Sequence, residues 1–244
     1  IIFDAYRVAL TTKKIVPGFI VKYINKLLNL LPSSKKYMSA SFKIKKFFEY
    51  LNFDENKLCQ AWMSSLTPKE IKELTNNQVN FDNLVSESEE LFKKNKDKMK
   101  SSQQYFLKFY LASVLSKVDK ASMFNSIEYR SPFLSKSIIN FALNLKDNYS
   151  FLRKKIFLKK HFKKDLPIAL KYRPKHGFAF PKQKIIFNKE ILNKINDDYL
   201  LNKNFFYEKL ESYRSNKKDY GQYLWNEITL NFMLQKRLKI ESNQ

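Results

Sequence analysis

The chain has 244 residues, 44% of them hydrophobic and 16% aromatic, with a net charge of +23. That composition can bury a core without covalent staples and excludes a disordered polymer. The single Cys59 excludes an internal disulfide and a cysteine-based zinc site, and with only His161 and His176 a histidine-rich metal cluster is excluded as well, so no metal ligand is assigned.

Taken in order, residues 1–14 place Phe3, Tyr6, Val8 and Leu10 around Arg7 and predict a helix, with a turn at Pro17–Gly18. Phe19 to Leu31 predicts a second helix, apolar on most faces and ended by Pro32. Lys22, Asn25 and Lys26 interrupt it, and it falls short of the ~20 residues a membrane span needs. Phe42, Ile44, Phe47, Phe48 and Leu51 recur at steps of three and four and predict a third helix, and Leu58, Trp62 and Leu66 continue the pattern. Thr67, Pro68 and Glu70 mark a helix start, with Thr67 as N-cap, proline at the first helical position and Glu70 reaching back as in a capping box.

After a loop over 76–82, a helix from Asp82 through Leu84, Leu91 and Phe92 runs into the lysine-rich KKNKDKMK, a solvated helix end or linker. Tyr105, Phe106, Phe109, Leu111, Val114, Leu115 and Val118 predict a strongly amphipathic helix. Asp119 follows it, either as the N-cap of the next helix or as a ligand group. Glu128 and Arg130 precede Pro132, either as an ion pair fixing the turn or as substrate contacts. Their small and apolar neighbours suggest that these charges are buried.

Further helices are predicted around Ile138–Leu145, Leu158–Leu166, Ile185–Leu201, Phe205–Tyr213 and Tyr223–Leu234, with His161 on a surface. Strand-like alternation is absent beyond a few residues, so the chain as given is expected to be mainly α. No secretory segment or membrane span is expected, and a reducing, cytoplasmic setting fits the cysteine usage.

The charge invites a nucleic-acid partner, since basic patches bind phosphate backbones by releasing counterions. Only six basic residues are arginine, however, and forty lysines are spread along the whole length beside abundant Asn, Ile, Phe and Tyr. Lysine is the less specific phosphate reader, and the profile suits compositional bias better than a nucleic-acid interface. Gly18, Gly177 and Gly221 are the only glycines, which excludes a Walker A loop and a dinucleotide fingerprint. A phosphate-cradling loop would therefore belong to a longer protein of which this chain reads as a piece.

The chemistry-bearing residues fall between Lys117 and Pro181. The string VDKASMFNSIEYRSPFLS at 118–135 resembles the VDRASMAHSLEVRVPFLD signature of the glutamine-hydrolysing asparagine synthetase family. Lys155, Lys159, Leu166 and Pro167, then Arg173, Pro174, Lys175, Gly177, Phe178 and Pro181, fall in register with that family's K-x-x-x-R-x-x-x-x-x-x-L-P and R-P-K-x-G-F-x-x-P motifs. The resemblance covers 111–237 well and 1–10 weakly.

It implies that the chain is the helical C-terminal part of an α/β synthetase domain of the adenine-nucleotide α-hydrolase type, with a pyrophosphate loop. Residues 1–100 would be a helical scaffold and 101–244 the signature region, while the glutaminase domain and the pyrophosphate loop would lie outside the chain. The implied reaction is a carbon–nitrogen ligation. Aspartate is activated by ATP and Mg2+ as β-aspartyl-AMP with release of pyrophosphate, and glutamine-derived ammonia then displaces AMP to give asparagine. ATP and Mg2+ would be held mainly by residues outside this chain.

By composition Lys175 is one loop lysine among forty. The resemblance makes it the catalytic residue, contacting pyrophosphate and the adenylated intermediate, with Asp119, Glu128, Arg130 and Gly177 as candidate substrate or pyrophosphate contacts. Ser135 stands where the family usually has Asp, and Ala112–Ser113 where it has Pro-Asp or similar. Those departures support an alternative, the same adenylation chemistry on another carboxylate such as a sugar acid of a surface polysaccharide. A third possibility, of a different class, is a catalytically dead helical binding protein.

Overall fold

The computed structural model describes residues 2–31, 39–145, 156–167 and 182–241. Among them every regular element is helical and no strand occurs, as the periodicity predicts. The chain divides into two compact units, residues 1–89 with 179–244, and residues 90–178.

In the first unit α1 (Ile2–Ile15) packs on α4 (Leu58–Met63), while α2 (Gly18–Leu30) pairs with α3 (Ala40–Tyr50), which also meets α4. Of the positions named in the sequence pattern Tyr6, Leu51, Leu58 and Trp62 are buried, joined by Ala9, Val21, Tyr50 and Cys59. Val8 and Ile44 are instead about half exposed, and α2 buries Val21 but leaves Phe19, Tyr23 and Leu30 exposed. Trp62 donates its indole N–H to the Lys46 carbonyl at 3.2 Å, so its apolar ring is buried without orphaning the nitrogen. α5 (Pro68–Leu74) starts on the expected capping box: Glu70 N–H donates to Thr67 Oγ1 at 3.3 Å, and Glu70 Oε2 accepts from Thr67 N–H at 2.8 Å.

The rest of this unit comes from the far end of the sequence. α11 (Lys182–Ile186), α12 (Lys189–Leu192), α13 (Lys203–Arg214) and α14 (Gly221–Glu241) close a core of Leu66, Leu74, Ile186, Phe206, Leu210 and Leu224 with their neighbours. The single helix expected over Ile185–Leu201 is instead two short helices and a 3-10 turn at Asp197–Tyr199. Asn188 and Asn196 each turn a side-chain oxygen onto backbone N–H groups just ahead, a local alternative to helical hydrogen bonding that restarts the chain twice. Gly221 opens α14 where a Cβ would sit 2.9 Å from the Tyr213 hydroxyl, and its N–H donates to Asp219 Oδ1.

The boundary between the units falls inside α6 (Phe81–Lys94). The helix predicted to run on into the lysine-rich stretch ends at Lys94. A new one, α7 (Lys98–Tyr105), begins where the Asp97 carboxylate accepts from Met99 and Lys100 N–H groups. It continues through a π-helical segment, Phe106–Leu111, into α8 (Ala112–Met123). An aromatic ladder backs the π segment, with Tyr105 against Phe92, Phe106 and Phe109 at centroid distances of 6.1, 5.4 and 5.5 Å. A 3-10 turn (Pro132–Leu134), α9 (Lys136–Asn144) and α10 (Ile156–His161) complete the described part of the second unit, and His161 is exposed as expected. No helix among the described residues is long and apolar enough to cross a membrane.

Candidate functional site

The signature string folds as helix, sharp turn, short extended return and helix. α8 ends on a Schellman-type closure, in which Ile127 N–H reaches the Ser122 carbonyl at 3.0 Å while Ser126 takes a left-handed φ of 56°. Ser131 is extended, as the residue before a proline must be, and the Pro132–Leu134 turn delivers Ser135 to the N-cap of α9.

Leu115, Val118 and Asp119 are spaced i, i+3 and i+4 on α8 and so share one helical face. That face and the returning stretch Tyr129–Ser135 enclose a cleft of about 380 Å³, lined by Asp119 and Arg130 among apolar Leu115, Val118 and Leu134. The fold therefore brings two of the sequence-identified charged residues into one cleft, one from the helix and one from the return. Arg130 Nη2 also donates to Glu128 Oε1, so the expected ion pair forms.

Two expectations are corrected. Asp119 does not cap the following helix. It lies inside α8, where its carbonyl accepts from the Ser122 hydroxyl at 3.0 Å, and the N-cap of α9 is Ser135. The amphipathic pattern does not stop at Val118 but continues for another turn, which is why the carboxylate stands on a helix wall. Nor are the charges buried: Asp119, Glu128 and Arg130 are exposed, as are the apolar Phe124, Ile127, Tyr129 and Phe133 around them. An exposed ion pair contributes little to stability, so fixing the turn is a weak role for Glu128 and Arg130.

Chemically, the cleft offers a guanidinium able to hold a carboxylate or phosphate through paired N–H donors, and a carboxylate able to accept from an ammonium or hydroxyl. Among the described residues no group of three or more His, Cys, Asp or Glu side chains could hold a metal ion. With one carboxylate and one guanidinium in its lining, the described cleft does not fit Mg2+ by itself, and no step of the chemistry is assigned to a metal held here. Lys175 and Gly177 lie outside the described residues. Sequence reasoning passed over Leu115 and Tyr129 as walls of the cleft; the i, i+4 spacing of Leu115 with Asp119 was the available signal.

The sequence profile of the family described as "Asparagine synthase" matches residues 25–237. A curated relative named "Asparagine synthetase [glutamine-hydrolyzing] 1", from Bacillus subtilis (strain 168), is 28% identical over 136 residues. That match covers 52% of this chain and 21% of the relative, so the chain spans about a fifth of that protein's length. No solved structure matches.

Proposed function

Because this chain belongs to the asparagine synthase family, we propose that it forms the helical part of an α/β synthetase domain that amidates a carboxylate at the expense of ATP, with aspartate as substrate. The observation that carries the reading is the cleft in which α8 and the return after it hold Asp119 and Arg130 together. In this reading Arg130 orients an anionic group of the substrate or pyrophosphate, and Asp119 accepts from the substrate's ammonium group. Glu128 keeps the guanidinium in place, and Gly177 is assigned as a substrate or pyrophosphate contact.

The substrate carboxylate oxygen attacks the α-phosphorus of ATP and pyrophosphate departs. Ammonia derived from glutamine then adds to the acyl carbon and AMP leaves. Negative charge builds on phosphate and carbonyl oxygens in both steps, and Lys175 is the compact cation assigned to stabilise it. Glutaminase, the phosphate loop and the Mg2+ ligands are assigned to the longer protein.

A second reading keeps the chemistry and changes the acid. Ser135 lines the cleft at the position where the family usually carries Asp, so one charge is missing from the substrate side. A sugar acid, which lacks the α-ammonium of aspartate, asks for fewer acidic partners.

The complete enzyme decides between the readings. Asparagine and AMP formation from aspartate should fall by about a hundredfold or more in Lys175→Ala, the scale of losing one oxyanion donor, with glutamine hydrolysis much less affected. Arg130→Met should raise KM for the carboxylate. Folded variants with unchanged asparagine formation would refute the site. AMP release with uronic acids and none with aspartate would select the second reading, and no AMP release with any carboxylate would favour a dead binding protein.

A further inference from the structure

The unit built from 1–89 and 179–244 contains a second cleft, of about 250 Å³, between α2, α3 and the turn that precedes α14. Its wall carries four ammonium groups, Lys45, Lys46, Lys217 and Lys218, against two carboxylates, Glu49 and Asp219. Lys218 is compensated, bonding Glu49 at 3.2 Å and Glu70 at 3.0 Å. Lys46 instead donates to a neutral group, the Ser64 carbonyl at 2.7 Å, and stands 5.2 Å from the centre of the Tyr50 ring. Lys45 likewise donates to a carbonyl, that of Leu31. Burial pulls both Lys45 and Lys46 below the ordinary lysine range, as expected of ammonium groups that have lost water without gaining enough negative charge.

A second, independent observation points to a ligand. Tyr50 lines the cleft and is only 1% exposed, yet its hydroxyl is buried with no hydrogen-bond partner among the described residues. A buried phenol without a partner is unfavourable, and protein interiors seldom keep one.

We propose that this cleft binds a small phosphate-bearing anion through the Lys45, Lys46 and Lys217 ammonium groups and the Tyr50 hydroxyl. Phosphate is favoured over carboxylate because the wall has no arginine to offer the flat fork that pairs with a carboxylate. Several separate point charges instead suit an anion whose oxygens point in several directions. The volume lies below the ~300–1,000 Å³ of sites for drug-sized ligands, which suits inorganic phosphate or a small monoester better than a nucleotide.

Calorimetric titration of the 244-residue chain at fixed ionic strength tests this, with inorganic phosphate, glycerol phosphate and malonate as separate probes. Phosphate or its monoester should saturate one site, and whichever binds more tightly identifies the natural form of the group. Tyr50→Phe should weaken that binding about tenfold or more, while its Tm without phosphate stays level or rises because the orphaned hydroxyl is gone. Lys217→Met, on an exposed side chain, should weaken binding several-fold with the fold intact and serves as the second variant. Absence of saturable binding, equal affinity in folded Tyr50→Phe and Lys217→Met, or malonate binding as tightly as phosphate would each overturn the proposal.

Discussion

Glu70 joins more of the first unit than any local pattern indicates. Its carboxylate accepts from the Thr67 N–H and hydroxyl, each at 2.8 Å, from the Tyr220 hydroxyl at 2.5 Å and from Lys218 at 3.0 Å, tying the start of α5 to the turn before α14. Burial alone would raise its pKa. The Tyr220 hydrogen bond, the Lys218 charge and the Thr67 N–H outweigh burial and hold it below the usual carboxylate range. A carboxyl group whose folded pKa is depressed adds stability above its unfolded pKa and loses it as pH falls through the folded value.

Glu70→Gln should therefore cost about 2 kcal/mol at neutral pH, the scale of hydrogen bonds to a charged group with one partly exposed partner. Denaturant titration of both proteins checks this, and the gap should close on acidification below the usual carboxylate range. A gap that stayed constant into strong acid would mean that shape rather than charge holds the site. Lys218 moves the other way: burial lowers its pKa, but Glu49 and Glu70 raise it further. Its contribution is present below the ordinary lysine value and is lost only as pH climbs through the raised one.

Among elements, the end of α8 is the one on which the site depends. Its C-terminal closure puts Ser126 at φ 56°, a conformation in which an L-residue's Cβ crowds the backbone. Ser126→Gly should stabilise the second unit by about 0.5–1 kcal/mol, the relief of that crowding being partly offset by the freer unfolded chain. A thermal melt that shifts down would show that Ser126 is held by its side chain instead. The π segment Phe106–Leu111, immediately before α8, carries an i→i+5 turn of the kind that recurs next to functional sites. An extra residue in one turn changes the rotation of the helix that follows, so register within this segment bears on which α8 side chains line the cleft with Arg130.

At the scale of the molecule, burial is unevenly shared. Phe206, Leu210, Leu224 and Ile228 on α13 and α14 are almost wholly buried, whereas no described residue of α8 or α9 is. Opening free energies follow buried apolar contacts, so backbone amides in α13 and α14 should be the slowest to exchange with deuterium and those in α8 and α9 among the fastest. Equal protection across the two sets in exchange mass spectrometry would contradict that ordering.

The helical class, the α5 capping box and the burial of Tyr6, Leu51, Leu58 and Trp62 follow from the sequence because each is a local matter of periodicity or of a cap reading N–H groups three residues away. The family is legible for a similar reason, since VDKASMFNSIEYRSPFLS is one continuous string. Periodicity does not show where a helix stops when asparagine side chains can take over its hydrogen bonds, so Ile185–Leu201 reads as one helix and folds as three pieces.

Nor can apolar neighbours in sequence decide burial. Glu128 and Arg130 look enclosed on paper, yet both side chains are mostly exposed, Arg130 at the open rim of its cleft. Tertiary structure alone brings Lys218 and Tyr220 to Glu70 across some 150 residues, and brings Lys217 to the cleft beside Lys45 and Tyr50. Such meetings depend on which helix faces pack together, and that choice is made by the whole core rather than by any stretch of chain that could be read alone.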